Sequence, residues 1–271
     1  MADAAAATPD TTTPAETEPE AGTEFSSKTS MLISAWEHAG GDPTKVRSRY
    51  NPLPHWPGGA SGLTIGMGYD LRYQSPAQLH SDWDGVLTPE QLARLEAYTT
   101  QVKIVKGKQR KVVGPKPTKA ALKAMADIEV RYKEGLKVFE DKILPRYRED
   151  AYRTFPGLKD MDPYTQASVI AMTYNRGTGY DDDPNRKRGE SKAKQRKRLA
   201  RAKHFVEMKG AIFRQDTVAI SAILREMKAE TSMKGVKNRR EGEAKYLDDH
   251  RYAADAWSLF HDKYPLPSAS P

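Results

Sequence analysis

The sequence predicts a mostly helical α+β fold in which a small strand-containing lobe and a larger helical lobe flank a cleft. Three observations predict it. Strand and turn signals are confined to the first half of the chain, helical periodicity fills the second, and 271 residues suffice for one large domain or a two-lobed body with a substantial core.

Residues 1–24 are rich in Ala, Thr, Pro and Glu, contain six acidic and no basic side chains, and show no periodicity. They are expected to form a disordered acidic tail. The folded domain is expected over residues 25–264, with 265–271 a flexible end. The first helix is predicted from Ser27 to His38, capped by Ser27 or Thr29 and stopped by Gly40 and Gly41. Glu37 then lies in its last turn. The run Gly62 to Asp70 follows, with Gly66 and Gly68 interleaved among Thr64, Ile65, Met67 and Tyr69 as in a strand, where glycine permits close approach to the backbone.

Thr88-Pro89-Glu90-Gln91 combines a threonine cap, proline at the first helical position and glutamine three residues after the cap, and predicts a short helix through Tyr98. Residues Val102 to Gly114 predict a surface hairpin around a Gly-Lys turn, with lysines on the exposed side. Ala121, Leu122, Met125, Ile128, Tyr132, Leu136 and Phe139 recur at three- and four-residue steps, predicting one long amphipathic helix from Thr118 to Ile143 that ends before Pro145. Further helices are expected near 146–153, 163–175, 192–208, 216–229 and 236–262, the last broken around His250.

Composition sets limits. The sequence holds 38% hydrophobic and 30% charged residues, describing a soluble protein with a very polar surface, and has no run approaching a membrane span. The N-terminus lacks the basic start and apolar stretch of a secretory signal, so synthesis in the cytoplasm without a signal peptide is expected. With no cysteine, disulfides, thiol catalysis and cysteine metal sites are excluded. The six histidines show no HExxH-like spacing; no metal and no cofactor are expected. Beyond the acidic tail, 44 basic face 30 acidic side chains, a balance of +14 that draws the body to polyanions such as a bacterial envelope or nucleic acid. Arg186 to Lys203 alone holds ten Lys or Arg and one Glu. Aromatics for base stacking are missing from that run, which favours a solvated or envelope-binding helix over nucleic-acid binding. Asp181 to Asp183 reads as a turn beside it rather than a cation site.

The candidate site rests on Glu37, Thr64 and Asp70. A carboxylate at a helix C-terminus faces the negative end of the dipole, and an adjoining Trp36 would help desolvate it; both effects favour a protonated Glu37. Asp70, at the end of the glycine-rich run, is expected to be open to solvent and ionised. Two carboxyl groups in different surroundings can divide acid and base roles, as sugar-bond hydrolysis requires. The plain alternative makes Glu37 an exposed helix residue and Asp70 a turn residue.

The run SGLTIGMGYDL, with Glu37 preceding it at a helix end, resembles the active-site region of the lysozyme-like muramidases, especially the pesticin-type branch. Phage-type lysozymes carry Glu, then Asp, then Thr in a TIGxGH-like run; here Asp70 follows Thr64 instead, which leaves Asp42 as the lesser alternative. The segment Ala167 to Gly179 resembles the family's buried helix ending in an Asn-x-Gly turn. Asn238-Arg239-Arg240-Glu241-Gly242-Glu243 resembles its closing Asn-Arg-Arg-x-x-Glu helix, whose charged residues read as a supporting ion network.

The resemblance implies a lysozyme-like fold and hydrolysis of the β-1,4 bond between N-acetylmuramic acid and N-acetylglucosamine. Glu37, Asp70 and Thr64 would be catalytic, and Gly66, Gly68, Tyr69 and Asn175 would contact the glycan strand. It also implies action in the periplasm or cell wall of a target bacterium, as a delivered effector with a cognate immunity protein or secretion-system partner, or as a phage endolysin. A monomer is expected. A lytic transglycosylase, a non-catalytic wall-binding module and a nucleic-acid-binding protein are the competing classes.

Overall fold

The computed structural model describes residues 25–59, 61–105 and 108–248. The expected tail at 1–24, the far half of the last helix and the C-terminal end at 265–271 lie outside the described residues. The helices are α1 (Lys28–His38), α2 (Val46–Arg49), α3 (Pro76–Trp83), α4 (Pro89–Glu96), α5 (Lys119–Ala124), α6 (Tyr132–Val138), α7 (Leu144–Thr154), α8 (Pro163–Arg176), α9 (Lys192–Phe213), α10 (Thr217–Glu226) and α11 (Lys234–Asp248). Two antiparallel hairpins, β1 (Thr64–Ile65) with β2 (Tyr69–Asp70) and β3 (Gln101–Val105) with β4 (Lys108–Val112), are the strand pairs among the described residues. The protein is thus mostly helical, with small sheets in its first half. No helix among the described residues is long and apolar enough to cross a membrane.

Helix α8 sits at the centre, buried along Thr165 to Thr173 except for Gln166 and packed by α1, α7 and α11. Helix α11 also packs on α10, and α10 on α9. One apolar cluster runs continuously from Phe25 to Leu247, joining the hairpin residues Ile65, Met67 and Tyr69 to the helical core. The caps expected at two helix starts are present. Ser27 accepts from the Ser30 amide at the start of α1, and Thr88 and Gln91 form a reciprocal capping box on α4.

The long helix expected from Thr118 to Ile143 is instead interrupted. α5 ends at Ala124, and the chain runs without helix until α6. Ile128 and Val130 are fully buried while Glu129 and Arg131 are exposed, the alternation of an extended segment. Tertiary bonds fix it: the Val130 amide donates to the Pro52 carbonyl at 2.9 Å, and the Tyr50 hydroxyl donates to the Val130 carbonyl at 2.9 Å. Nor does the helix stop before Pro145. A π-turn at Phe139–Ile143 links α6 to α7, and its wider ring accommodates Pro145, which lacks an N–H and would clash in a regular α-turn.

Hairpin β3–β4 matches its expected position, but it is exposed on both faces, with Val102 and Ile104 out in solvent beside the lysines. The basic run enters α9, which extends beyond its expected end at 208. Arg198 is drawn inward, donating to the carbonyls of Asp181, Asp183 and Asn185 and pairing with Glu190. The Asp181–Asp183 segment is therefore an irregular stretch tied to the basic helix through Arg198.

Candidate active site

Four separate stretches of chain converge on one cleft of about 470 Å³: the end of α1, the β1–β2 hairpin with its flanks, the π-turn and start of α7, and the end of α8. Glu37, Gly68, Tyr69, Asp70 and Asn175 all line it, with Tyr147 and Tyr174. Thr64 and Gly66 do not. A second cavity of about 530 Å³ shares Ser61, Asn175 and Arg176 with the first and runs on toward Met227 and Arg240, so the depression is longer than one sugar-sized pocket.

The glycine-rich run is a tight hairpin rather than the single strand expected. Thr64 pairs with Asp70 and Ile65 with Tyr69, while Gly66 and Gly68 turn the chain with φ of +55° and +82°. Each glycine also clears space. A Cβ on Gly66 would meet the Trp83 ring at 2.5 Å, and one on Gly68 would lie 3.3 Å from a Glu37 carboxyl oxygen and 3.4 Å from the Tyr174 hydroxyl. The hairpin is wedged between Trp83 and Glu37 because it carries no side chain at either point.

Buried polar partners hold it there. Tyr174 donates from its hydroxyl to the Met67 carbonyl at the hairpin turn, 3.2 Å away. Tyr69 donates to Asp82 at 2.9 Å, and Asp82 is gripped bidentately by Arg146 at 2.5 and 2.7 Å. Tyr69 borders the cleft, but its side chain is buried, the ring edge-on to Trp83 and the hydroxyl already spent on Asp82. Thr64 is 3% exposed, its hydroxyl 3.4 Å from the Gly62 carbonyl.

The surroundings of the two carboxyl groups differ from those expected. Trp36 packs its ring toward Gly41 and Gly242, and the polar neighbour that Glu37 meets is Arg239, whose guanidinium donates to it at 2.5 Å. Asp70 is half-buried rather than open to solvent. Burial pushes its carboxyl above the ordinary value, against the pull of the Gly62 and Arg72 amides, which donate to it at 3.1 and 2.9 Å. Asp42, the lesser candidate, lies outside this cleft. It caps a short 3-10 turn, pairs with Lys45 at 2.6 Å, and is held below its usual range chiefly by that hydrogen bond.

The segment expected only to support the site reaches two of its members directly. Arg239 donates to Glu37, to Glu243 at 3.0 Å and to the Ala171 carbonyl at 3.2 Å; Arg240 donates to the Asn175 side chain at 2.6 Å and pairs with Glu243. Glu243 is fully buried. One buried carboxylate thus joins two arginines, and each arginine orients a cleft residue. The i, i+3 and i, i+4 spacing of Arg240 and Arg239 to Glu243 was the visible signal; that Arg239 ends on Glu37 was not readable from it.

Residues 33–142 match the model of a family described as a domain of unknown function (DUF8812), a span that contains Glu37 and the whole β1–β2 hairpin but stops short of Asn175 and Arg239. No curated protein matches the chain.

Proposed function

We propose that this protein is a peptidoglycan hydrolase, an N-acetylmuramidase of lysozyme-like fold that cleaves the β-1,4 bond between N-acetylmuramic acid and N-acetylglucosamine. The observation that carries the reading is that Glu37 and Asp70 line one elongated cleft, each held by donors that fix its carboxyl: Arg239 for Glu37, and the Gly62 and Arg72 amides for Asp70. Paired carboxyl groups across a groove are what glycoside hydrolysis uses. Glu37, still accepting from Arg239 through Oε1, takes up a proton from solvent on Oε2, the oxygen beside Gly68, and passes it to the departing glycosidic oxygen. Asp70 accepts a proton from water, which attacks the anomeric carbon from the opposite face and inverts it. The raised pKa of Asp70 makes it a better proton acceptor once ionised.

Thr64 contributes through the hairpin, standing opposite Asp70 in register and fixing where that carboxyl sits. Gly68 lets a sugar ring or Glu37 itself come against bare backbone. The continuation of the groove past Asn175 suits a polymeric substrate. In this reading the protein acts on the wall of a target bacterium, as a delivered antibacterial effector opposed by an immunity protein that fills the cleft, or as an endolysin.

The test is mass spectrometry of soluble fragments released from purified peptidoglycan by the wild type and by Glu37→Gln. Reducing muramic acid ends are expected from the wild type and none from the variant. Anhydro-muramic ends would replace hydrolysis by transglycosylation, and no fragments from either protein would overturn the enzymatic reading altogether.

A further inference from the structure

Away from the cleft, His204 and Glu207 on α9 and Glu226 at the end of α10 bring one imidazole nitrogen and two carboxylate oxygens within 4.8 Å of one another. His204 and Glu207 share a helix face at i, i+3 spacing. His204 is only 7% exposed, and its two ring nitrogens have different surroundings. Nδ1 is hydrogen-bonded to the Glu230 carboxylate, which Arg176 also grips at 2.5 Å. Nε2 points toward Glu226, 3.7 Å away and beyond hydrogen-bond distance. On Glu207, Oε1 faces Lys203 at 3.4 Å, whereas Oε2 is buried without any hydrogen-bond partner.

These facts are awkward for a simple ion network. An ionised carboxylate only accepts, so the bond to Glu230 puts a proton on Nδ1. Nε2 is left facing Glu226 beyond hydrogen-bond distance, and the buried Glu207 oxygen without a donor is costly. A cation among the three resolves both at once. Fixing a ligating imidazole through a carboxylate on its other nitrogen is also the usual outer arrangement at metal sites.

We propose that His204 Nε2, Glu207 and Glu226 bind a divalent transition-metal ion, zinc foremost, with Glu230 orienting the imidazole and water completing the coordination. The mixed nitrogen and carboxylate donors favour zinc over calcium or magnesium. Zinc–ligand bonds of about 2.0–2.1 Å place tetrahedral donors about 3.3 Å apart, so atoms now within 4.8 Å of one another must draw in by at most about 1.5 Å. Glu226, largely exposed, is free to supply most of that movement. The ion clips α9 to the end of α10. Through Glu230 it also bears on Arg176, which lines the groove, but no step of the proposed hydrolysis uses it.

The experiment uses the tag-free full chain, stripped with chelator and titrated with zinc chloride by calorimetry and thermal melting, with cobalt(II) as a spectroscopic probe. One equivalent of zinc is expected per chain, with a raised Tm and cobalt d–d absorption of a low-coordinate site. Glu226→Gln, at an exposed position that folding does not need, should weaken zinc by at least the roughly tenfold that even an outer ligand partner is worth. His204→Gln should abolish both the stoichiometric binding and the cobalt spectrum. If His204→Gln does not fold, the Glu226→Gln titration decides alone. No stoichiometric binding to the wild type would overturn the proposal and leave a doubly ion-paired imidazolium. Zinc affinity unchanged in Glu226→Gln would equally overturn it, marking the zinc as adventitious.

Discussion

Arg239→Met is the perturbation that most directly tests how the cleft is held. Arg239 is 4% exposed and donates to three acceptors at once: Glu37, Glu243 and the Ala171 carbonyl. Methionine keeps much of the volume and removes all three bonds. Breaking a buried ion pair by deleting one partner costs about 3–5 kcal/mol, because the surviving charge stays buried. Two features of the site point to the lower end. Glu243 keeps Arg240, and Glu37, with a quarter of its side chain exposed, can recover water from the cleft. The expected loss is therefore about 3 kcal/mol, which at about 2–4 °C per kcal/mol for a domain of this size lowers Tm by roughly 6–12 °C. The assay is denaturant unfolding of the wild type, Arg239→Met, Glu37→Gln and the double variant, read by circular dichroism. Part of the cost comes from Glu37 left without its donor, so the double variant should be more stable than the sum of the singles by about 1 kcal/mol or more. Arg239→Lys should rescue little, since an ammonium cannot fork toward three acceptors. A loss below about 1 kcal/mol, or strict additivity of the two changes, would refute the view that Arg239 holds Glu37 in place.

Glu37→Gln should cut release of wall fragments by about 10²–10⁴-fold, the usual worth of a general acid, while the amide still accepts from Arg239 and the Tm stays near that of the wild type; retained turnover would remove Glu37 from the chemistry. Asp70 supplies a pH signature. Its folded pKa is raised, so the folded state holds a proton that the unfolded chain has released, and stability falls as pH rises from near the ordinary 3.8 through the higher folded value. The stability of the wild type relative to Asp70→Asn should thus decline across that window in pH-dependent melts, and a relative gain would contradict the burial argument. Gly66→Ala drives a methyl to within 2.5 Å of the Trp83 ring at a φ of +55°, and should cost about 1–3 kcal/mol by overpacking and about 1–2 more by backbone strain. Unfolding that matched the wild type would mean that the hairpin does not need its wedge.

Local signals were readable where the chain satisfies itself locally. The caps of α1 and α4 each involve residues three positions apart, and Gly40 and Gly41, both at positive φ, end α1 where expected. The failures share one cause, a distant partner overriding a local pattern. Ile128 fits a helical period with Met125 and Tyr132 as well as an extended alternation with Val130. Only the Pro52 carbonyl and the Tyr50 hydroxyl, far back in the chain, select the second. Thr64 to Asp70 likewise reads as one strand until Gly66 and Gly68 are required to slip between Trp83 and Glu37.

The carboxyl groups illustrate the same limit at the level of chemistry. Sequence neighbours suggested an apolar Glu37 and a solvated Asp70, because Trp36 adjoins one and a turn adjoins the other. Yet adjacent residues on a helix point in different directions, and Trp36 spends its ring on Gly242 while Glu37 turns to Arg239. What surrounds an ionisable group is set by elements that pack across it. For Glu37 that element is α11, which lies 202 positions downstream at the contact. The residue types able to do acid and base work were therefore visible in the chain. The assignment of roles between them depends on α11 and on the burial of the hairpin, and so belongs to the tertiary structure.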